Sequence, residues 1–266
     1  MTARPPAPPG LAERPWPLVP RRPLLLVPVG AVEQHGPHLP LATDTTLAVA
    51  VTEGAAQRLH DRRPDEPVLV APAIAYTASG EHQSFPGTIS IGGQALHLML
   101  VELVRSAATW CGRVVFVNAH GGNLRYLSAA VAQLRREQHD VAWVPCGTGT
   151  GTGTGAGAGT GTGAGDAHAG FTETSLMLHL APHQVDMTRA AAGNTAGLPE
   201  LLPAIRTGGV AAVSPSGVLG DPTAATARDG ERLLDRMITE VCELVHGGAV
   251  DTDGRLRAPL PAAAPV

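Results

Sequence analysis

Short apolar runs alternate with segments of helical periodicity along most of this chain, and that alternation restricts the possible folds more than any other feature. PLLLVPV (23–29), VLVAPAIAY (68–76), RVVFVNA (113–119) and VAWVPC (141–146) read as short strands buried on both faces. Between them, Asp44 precedes a stretch in which Leu47, Val51, Ala55 and Leu59 recur every four residues and make one helical stripe. Residues 94–110 and 124–139 give two more helices, and residues 172–181 and 228–245 a fourth and a fifth. Strands separated by helices imply right-handed crossovers, a mostly parallel central sheet and helices on both faces. The expected fold class is therefore α/β.

Composition narrows the chemistry. The 266 residues are 44% apolar, which is enough to bury a full core, and no apolar stretch approaches the ~20 residues needed to span a bilayer. A net charge of −4 argues against nucleic acid or an anionic membrane as partner. All 19 basic residues are arginine, so Schiff-base chemistry, a lysine base and a P-loop lysine are excluded. Cys111, Cys146 and Cys242 are too widely spaced for a metal knuckle and odd in number, so they read as buried thiols of a cytoplasmic protein.

The ends and one internal segment stand apart. Eight prolines in residues 1–23 suggest a disordered leader, residues 247–266 a disordered tail, and residues 24–246 the folded domain between them. Residues 147–165 place Gly at every second position among Thr and Ala. Strict alternation never supplies the glycine spacing of a nucleotide loop, so this is expected to be a passive linker inserted in the domain.

Three groups of polar residues fall where strands hand over to helices. GAVEQHGPHLPLATD puts Glu33, His35, His38 and Asp44 after the first strand. VNAHGGN puts Asn118, His120 and Asn123 after the third, and DAHAGFTETS brings Asp166, His168 and Glu173 to the start of a helix. In an open parallel sheet the carboxyl ends of strands form the ligand crevice, so imidazoles and carboxylates placed there suggest a metal site. Read singly, Asp44 is as well explained as a helix cap and Glu173 as a first-turn carboxylate. Read together, Glu33, His35, Asp44, His120 and Glu173 make a five-ligand set. Two divalent cations would balance three carboxylates and a hydroxide, with both histidines neutral. His82, in SGEHQSFPGT, is equally a turn residue or a substrate contact, and Asn118 and Asn123 are further substrate-binding candidates. No GxSxG elbow, HExxH or CxxC pair is present.

GAVEQHGPHLPLATD, GEHQSFPGTISIG, VFVNAHGGN and HAGFTETSLML, in that order between Leu24 and Val245, resemble the creatininase family of metal-dependent amidohydrolases. APAIAYTASGEHQSFPGTISIG and the run from Ala192 to Ala227 are similar to the branch of that family that acts on the modified mycofactocin precursor peptide. The resemblance implies a three-layer α/β/α fold, a homo-oligomeric ring and two divalent ions per chain, of Zn, Fe or Mn. Glu33 and His120 would hold one ion, His35 and Glu173 the other, and Asp44 would bridge. His168 would protonate the leaving amine, so turnover should fall at high pH. Creatininase carries Glu two residues beyond its counterpart of His120, where this chain has Gly122. The implied reaction is peptide hydrolysis near the precursor C-terminus, releasing a cross-linked Val-Tyr remnant. Hydrolysis of a small cyclic amide or formamide, and a non-catalytic metal-binding scaffold, are the alternatives.

Overall fold

A computed structural model describes residues 10–147 and 166–258. Strands β1 (Leu24–Val29), β2 (Val68–Val70), β3 (Arg113–Asn118) and β4 (Val141–Pro145) form one parallel sheet in the order β2-β1-β3-β4. Helices α1 (Thr43–Arg62), α4 (Phe171–Leu180) and α6 (Ala227–Gly247) cover one face. Helices α2 (Gly93–Ala107) and α3 (Leu124–Arg136) cover the other, giving the three-layer α/β/α arrangement.

The strands are apolar throughout because both faces are covered. Leu26, Val115, Val117, Ala142 and Val144 pack with Leu47 and Val51 of α1, Met177 of α4 and Val241 of α6. Their neighbours Leu25, Val27, Phe116, Val141 and Trp143 pack with Leu100 of α2 and Leu134 of α3. From β1 the chain leaves towards β2, and from β3 towards β4, so successive crossovers diverge between the two central strands. The crevice beyond their carboxyl ends is where ligands bind in such sheets, and it receives the segments after Val29 and after Asn118.

β2 stops at Val70, short of the expected Tyr76. Pro72 interrupts the ladder, which resumes where Ile74 donates to the Pro28 carbonyl at 2.9 Å. Pro28 itself lacks an N–H on that same side, so the two prolines coincide at one gap.

The expected disordered ends differ from the structure where it describes them. Two short 3-10 turns, Leu11–Glu13 and Trp16–Leu18, precede β1, and Leu11 and Val19 pack against the α2–α3 core. Two backbone bonds, Arg22 N to Trp110 O and Gly112 N to Pro23 O, tie this segment down. At the other end β5 (Ala249–Val250) and β6 (Leu256–Arg257) form a hairpin with Leu256 buried, and Trp143 Nε1 donates to Asp253 O at 2.9 Å. A further helix, α5 (Leu198–Gly208), lies outside the five expected from the sequence. Residues 1–9, 148–165 and 259–266, including nearly all of the glycine run, lie outside the described residues. Among the described residues the three cysteines are buried and free, and no helix is long and apolar enough to cross a membrane.

Candidate metal centre

Each polar cluster arrives at the crevice for a local reason. A Cβ on Gly30 would lie 2.5 Å from the Thr45 backbone, so glycine lets the chain leaving β1 run tightly against the start of α1. Glu33 and His35 then follow, both wholly buried. Asp44 is the second residue of α1 and not its cap, a position held by Ala42, so its carboxylate is free for the cluster. His120 follows β3 directly. His168 precedes α4, and Glu173 sits in the first turn of that helix.

These side chains meet in two halves that share Asp44. His120 Nδ1 is 3.2 Å from Glu33 Oε1 and 3.2 Å from Asp44 Oδ2. His35 Nε2 is 3.2 Å from Asp44 Oδ1 and 3.8 Å from Glu173 Oε2. The outer nitrogen of each ring faces a main-chain carbonyl, His120 Nε2 that of Ala78 at 3.0 Å and His35 Nδ1 that of Glu33 at 3.1 Å. Such outer bonds fix the tautomer and leave the inner nitrogen to face the carboxylates. His82 Nε2 is 3.3 Å from Glu33 Oε1, and His168 Nδ1 is 3.9 Å from the same oxygen.

Glu33 Oε1 and Oε2 and Asp44 Oδ2 are buried yet accept no hydrogen bond of good geometry. Buried carboxylate oxygens without donors are expensive. His35 Nε2 and Asp44 Oδ1 are within hydrogen-bonding geometry, but the three donorless oxygens converge with the His120 ring without bonding it, which fits a shell of cation ligands, and this mixed set suits first-row divalent metals. Glu33, His35 and Asp44 form one such group, His35, His168 and Glu173 a second, and Glu33, His82 and His168 a third.

The electrostatics of the cluster's own side chains agree. Burial would depress His35, but Asp44, Glu173 and Glu33 outweigh it and hold the ring up at about 10. His120 is likewise raised against its burial by Glu33 and Asp44. Burial raises Glu173 to about 7, and for Asp44 the cationic histidines overcome burial and hold it low. Protons on His35 and His120 thus balance the carboxylates, as cations would. His168 is different: burial first, then the charge on His35, lower it to about 3, so it is neutral near pH 7. Its ring is therefore a proton acceptor at rest.

Asn118 and Asn123 do not line the cavity. Asn118 Nδ2 donates to His120 O at 2.7 Å, and Asn123 Nδ2 to Gly30 O at 3.1 Å, so both hold the loops that carry the cluster. His38 turns away to Thr174 Oγ1 at 2.8 Å. The other histidines beyond His82 stay outside the cluster. Two residues that sequence reasoning did not single out do belong here. Gln34 touches both His82 and His168. Glu81 Oε1 lies 3.5 Å from His120 Nε2. A Cβ on Gly122 would meet that same oxygen at 2.2 Å, so Glu81 occupies the space a side chain at 122 would need. Tyr126 and the apolar side chains Leu198, Leu202 and Ile205 wall a cavity of about 870 Å³ above the cluster, with Arg125 and Arg206 also lining it.

Comparison with known proteins agrees with this geometry. The creatininase (creatinine amidohydrolase) profile matches residues 14–245. A mycofactocin precursor peptide peptidase of Mycobacterium ulcerans is 52% identical over 236 residues, covering 88% of this chain and 89% of that protein. The protein of that name from Mycolicibacterium smegmatis is 50% identical over 234 residues, with the same coverage. Among solved structures, a manganese creatininase superposes with a TM-score of 0.66 at 25% identity, covering 84% of this chain and 90% of its own. A putative creatinine amidohydrolase from Bacteroides fragilis gives 0.69 at 22% identity, with 88% and 93% covered. The match in sequence extends over the same strand ends that carry the carboxylates and imidazoles, and on that ground this chain belongs to the creatininase family.

Proposed function

We propose that the chain is a dinuclear metal-dependent peptidase that hydrolyses the modified mycofactocin precursor peptide near its C-terminus, releasing the cross-linked Val-Tyr remnant. The observation that carries the metal-dependent part is the set of buried, donorless oxygens, Glu33 Oε1 and Oε2 and Asp44 Oδ2, that converge with the His120 ring. The relatives at 50% and 52% identity support the peptide substrate. A cavity of about 870 Å³ is also roomy for a peptide segment, near the upper end of the usual range for small-molecule sites.

Glu33, Asp44 and His120 would hold one divalent ion, and His35, Asp44 and Glu173 the other. Ions held there supply Lewis acidity towards an amide carbonyl and towards water. The remaining chemistry belongs to the side chains. His168 presents Nδ1 to the cavity, because its Nε2 is 2.8 Å from the main-chain carbonyl of Gln34 and donates to it. As water adds to the carbonyl carbon, Nδ1 takes up a proton. As the C–N bond breaks, it returns that proton to the leaving nitrogen. The apolar wall from α5 and Tyr126 shields the cluster from bulk water. A homo-oligomer and a cytoplasmic setting are proposed with this reading, the former on family resemblance and the latter on three free cysteines.

The test is incubation of protein loaded with Zn, Fe or Mn with the modified precursor peptide, followed by mass spectrometry of the products, with creatinine as a parallel substrate. Release of the C-terminal fragment is expected. Creatinine hydrolysis without peptide cleavage would favour the cyclic-amide alternative. Metal binding without turnover of either would favour the scaffold.

A further inference from the structure

We propose that Gln34 is a positioning residue that sets which ring nitrogen of His82 carries the proton, and that with its main chain it sets the same for His168. The amide orientation is fixed at both ends by main-chain groups that have only one role each. Oε1 accepts from Gly36 N at 2.9 Å, and Nε2 donates to Gly217 O at 3.2 Å. The second hydrogen on Nε2 is then directed at His82 Nδ1, 2.8 Å away, which must be a lone pair. His82 therefore carries its proton on Nε2, which lies 3.3 Å from Glu33 Oε1 without the geometry of a hydrogen bond.

The main-chain carbonyl of Gln34 acts on the other ring. It lies 2.8 Å from His168 Nε2 and can only accept, so that nitrogen holds the proton and Nδ1 is left as the lone pair. The 3.0 Å approach of Gln34 Nε2 to His168 Nε2 is then a contact between two donors, each directed at its own acceptor. The two imidazoles, tilted 41° to one another with centroids 4.5 Å apart, adopt the same tautomer yet turn different nitrogens towards Glu33. His82 turns its protonated Nε2 to the carboxylate, and His168 the lone pair of Nδ1.

The surroundings are shaped for this amide. Gly217 has φ of +80°, and a Cβ there would lie 1.8 Å from Gln34 Oε1. Its loop is held beside His168 by the reciprocal backbone bonds of His168 and Leu219, at 3.1 and 2.9 Å. This gives the SPSG turn a purpose that neither the sheet nor the carboxylates explain. Asn is too short to span these partners, and an ionised Glu has no hydrogen to offer His82.

The experiment is ¹⁵N NMR of histidine ring nitrogens in protein loaded with zinc, which is diamagnetic, with His82 assigned through His82→Asn. In the wild type both His82 and His168 should show protonated Nε2. In Gln34→Leu, His82 should shift towards protonated Nδ1 while His168, held by a main-chain carbonyl, stays unchanged. Bound zinc should be unaltered, and kcat should fall roughly tenfold to hundredfold with little change in KM, the usual size of effects one shell out from a metal. Gly217→Ala, which displaces the amide without touching either ring, should reproduce the His82 change, and it decides the matter if Gln34→Leu does not fold. An unchanged His82 tautomer in a folded variant, a wild-type His82 protonated on Nδ1, or loss of zinc from the leucine variant would each overturn the proposal. The NMR readout needs no substrate, so it stands or falls separately from the peptidase reading, on which only the turnover arm rests.

Discussion

Asp44→Asn should empty both halves of the cluster at once. The two oxygens of Asp44 serve different histidines, Oδ1 lying 3.2 Å from His35 Nε2 and Oδ2 3.2 Å from His120 Nδ1. Asparagine keeps the shape but has one oxygen, so its NH₂ must face one of the two ion positions, and the negative charge shared by both is gone. Removing one partner from a buried charged set costs about 3–5 kcal/mol, which corresponds to a loss of roughly 10² to 10⁴ in affinity for each ion. Glu173→Gln provides the contrast, because Glu173 approaches only the His35 half, at 3.8 Å, and also accepts from Ala169 N at 2.6 Å. The assay is metal content by mass spectrometry after purification without chelator and dialysis against metal-free buffer, with circular dichroism as the check on folding. The expected values are two ions in the wild type, close to none in Asp44→Asn and about one in Glu173→Gln. Two ions retained by Asp44→Asn would refute the shared role, and two retained by Glu173→Gln would leave that carboxylate as support for the Ala169 turn.

His168→Ala should keep both ions and bind peptide but lose roughly 10² to 10⁴ in turnover; an ion lost with it would make His168 a ligand. Because burial and the charge on His35 hold His168 at about 3, its active neutral form is complete above that value and lost as pH falls through it. The wild-type profile should therefore show no alkaline decline between about pH 7 and 9 that His168→Ala abolishes. Deleting most of residues 148–165 should change neither metal content nor, by more than a few degrees, the melting temperature, since closure entropy varies slowly with loop length. Gly230→Ala should lower the melting temperature despite better helix propensity. Its Cβ would lie 1.9 Å from the Ser175 carbonyl where α6 meets α4, and overpacking of about 1–3 kcal/mol exceeds a propensity gain of about 1.

The sheet and five of the six α-helices among the described residues were legible because burial on one or two faces leaves a period in the sequence. Leu47, Val51, Ala55 and Leu59, spaced as a stripe, are all buried on α1. The cluster was legible for a different reason, since Glu33, His120 and Glu173 stand at the ends of recognisable elements. Gln34 gave no such signal. Its partners His82 and His168 lie 48 and 134 residues away, and a glutamine in a loop is ordinarily solvated. Glu81 became notable only once Gly122 was seen to leave it room. α5 was hidden by Pro199 and Pro203, which argue against a helix locally. The first lies in the opening turn, where proline is tolerated, and the second is carried inside a helix anchored by Leu201 and Ile205. At the N-terminal end, Leu11 and Val19 are isolated apolar residues whose burial no periodicity announces.

α5 has a consequence for how a long peptide reaches so buried a cluster. It is anchored by a cluster of four buried apolar side chains, Leu201, Ile205, Val210 and Leu219, separate from the two cores that clamp the sheet. Regions with little buried apolar surface open locally at a small fraction of the global unfolding free energy. The wall of the cavity thus has a small anchor of its own, joined to the floor through the backbone bonds of Leu219 with His168. Its amides are expected to exchange sooner than those of the sheet, with hydrogen exchange as the measurement that checks it.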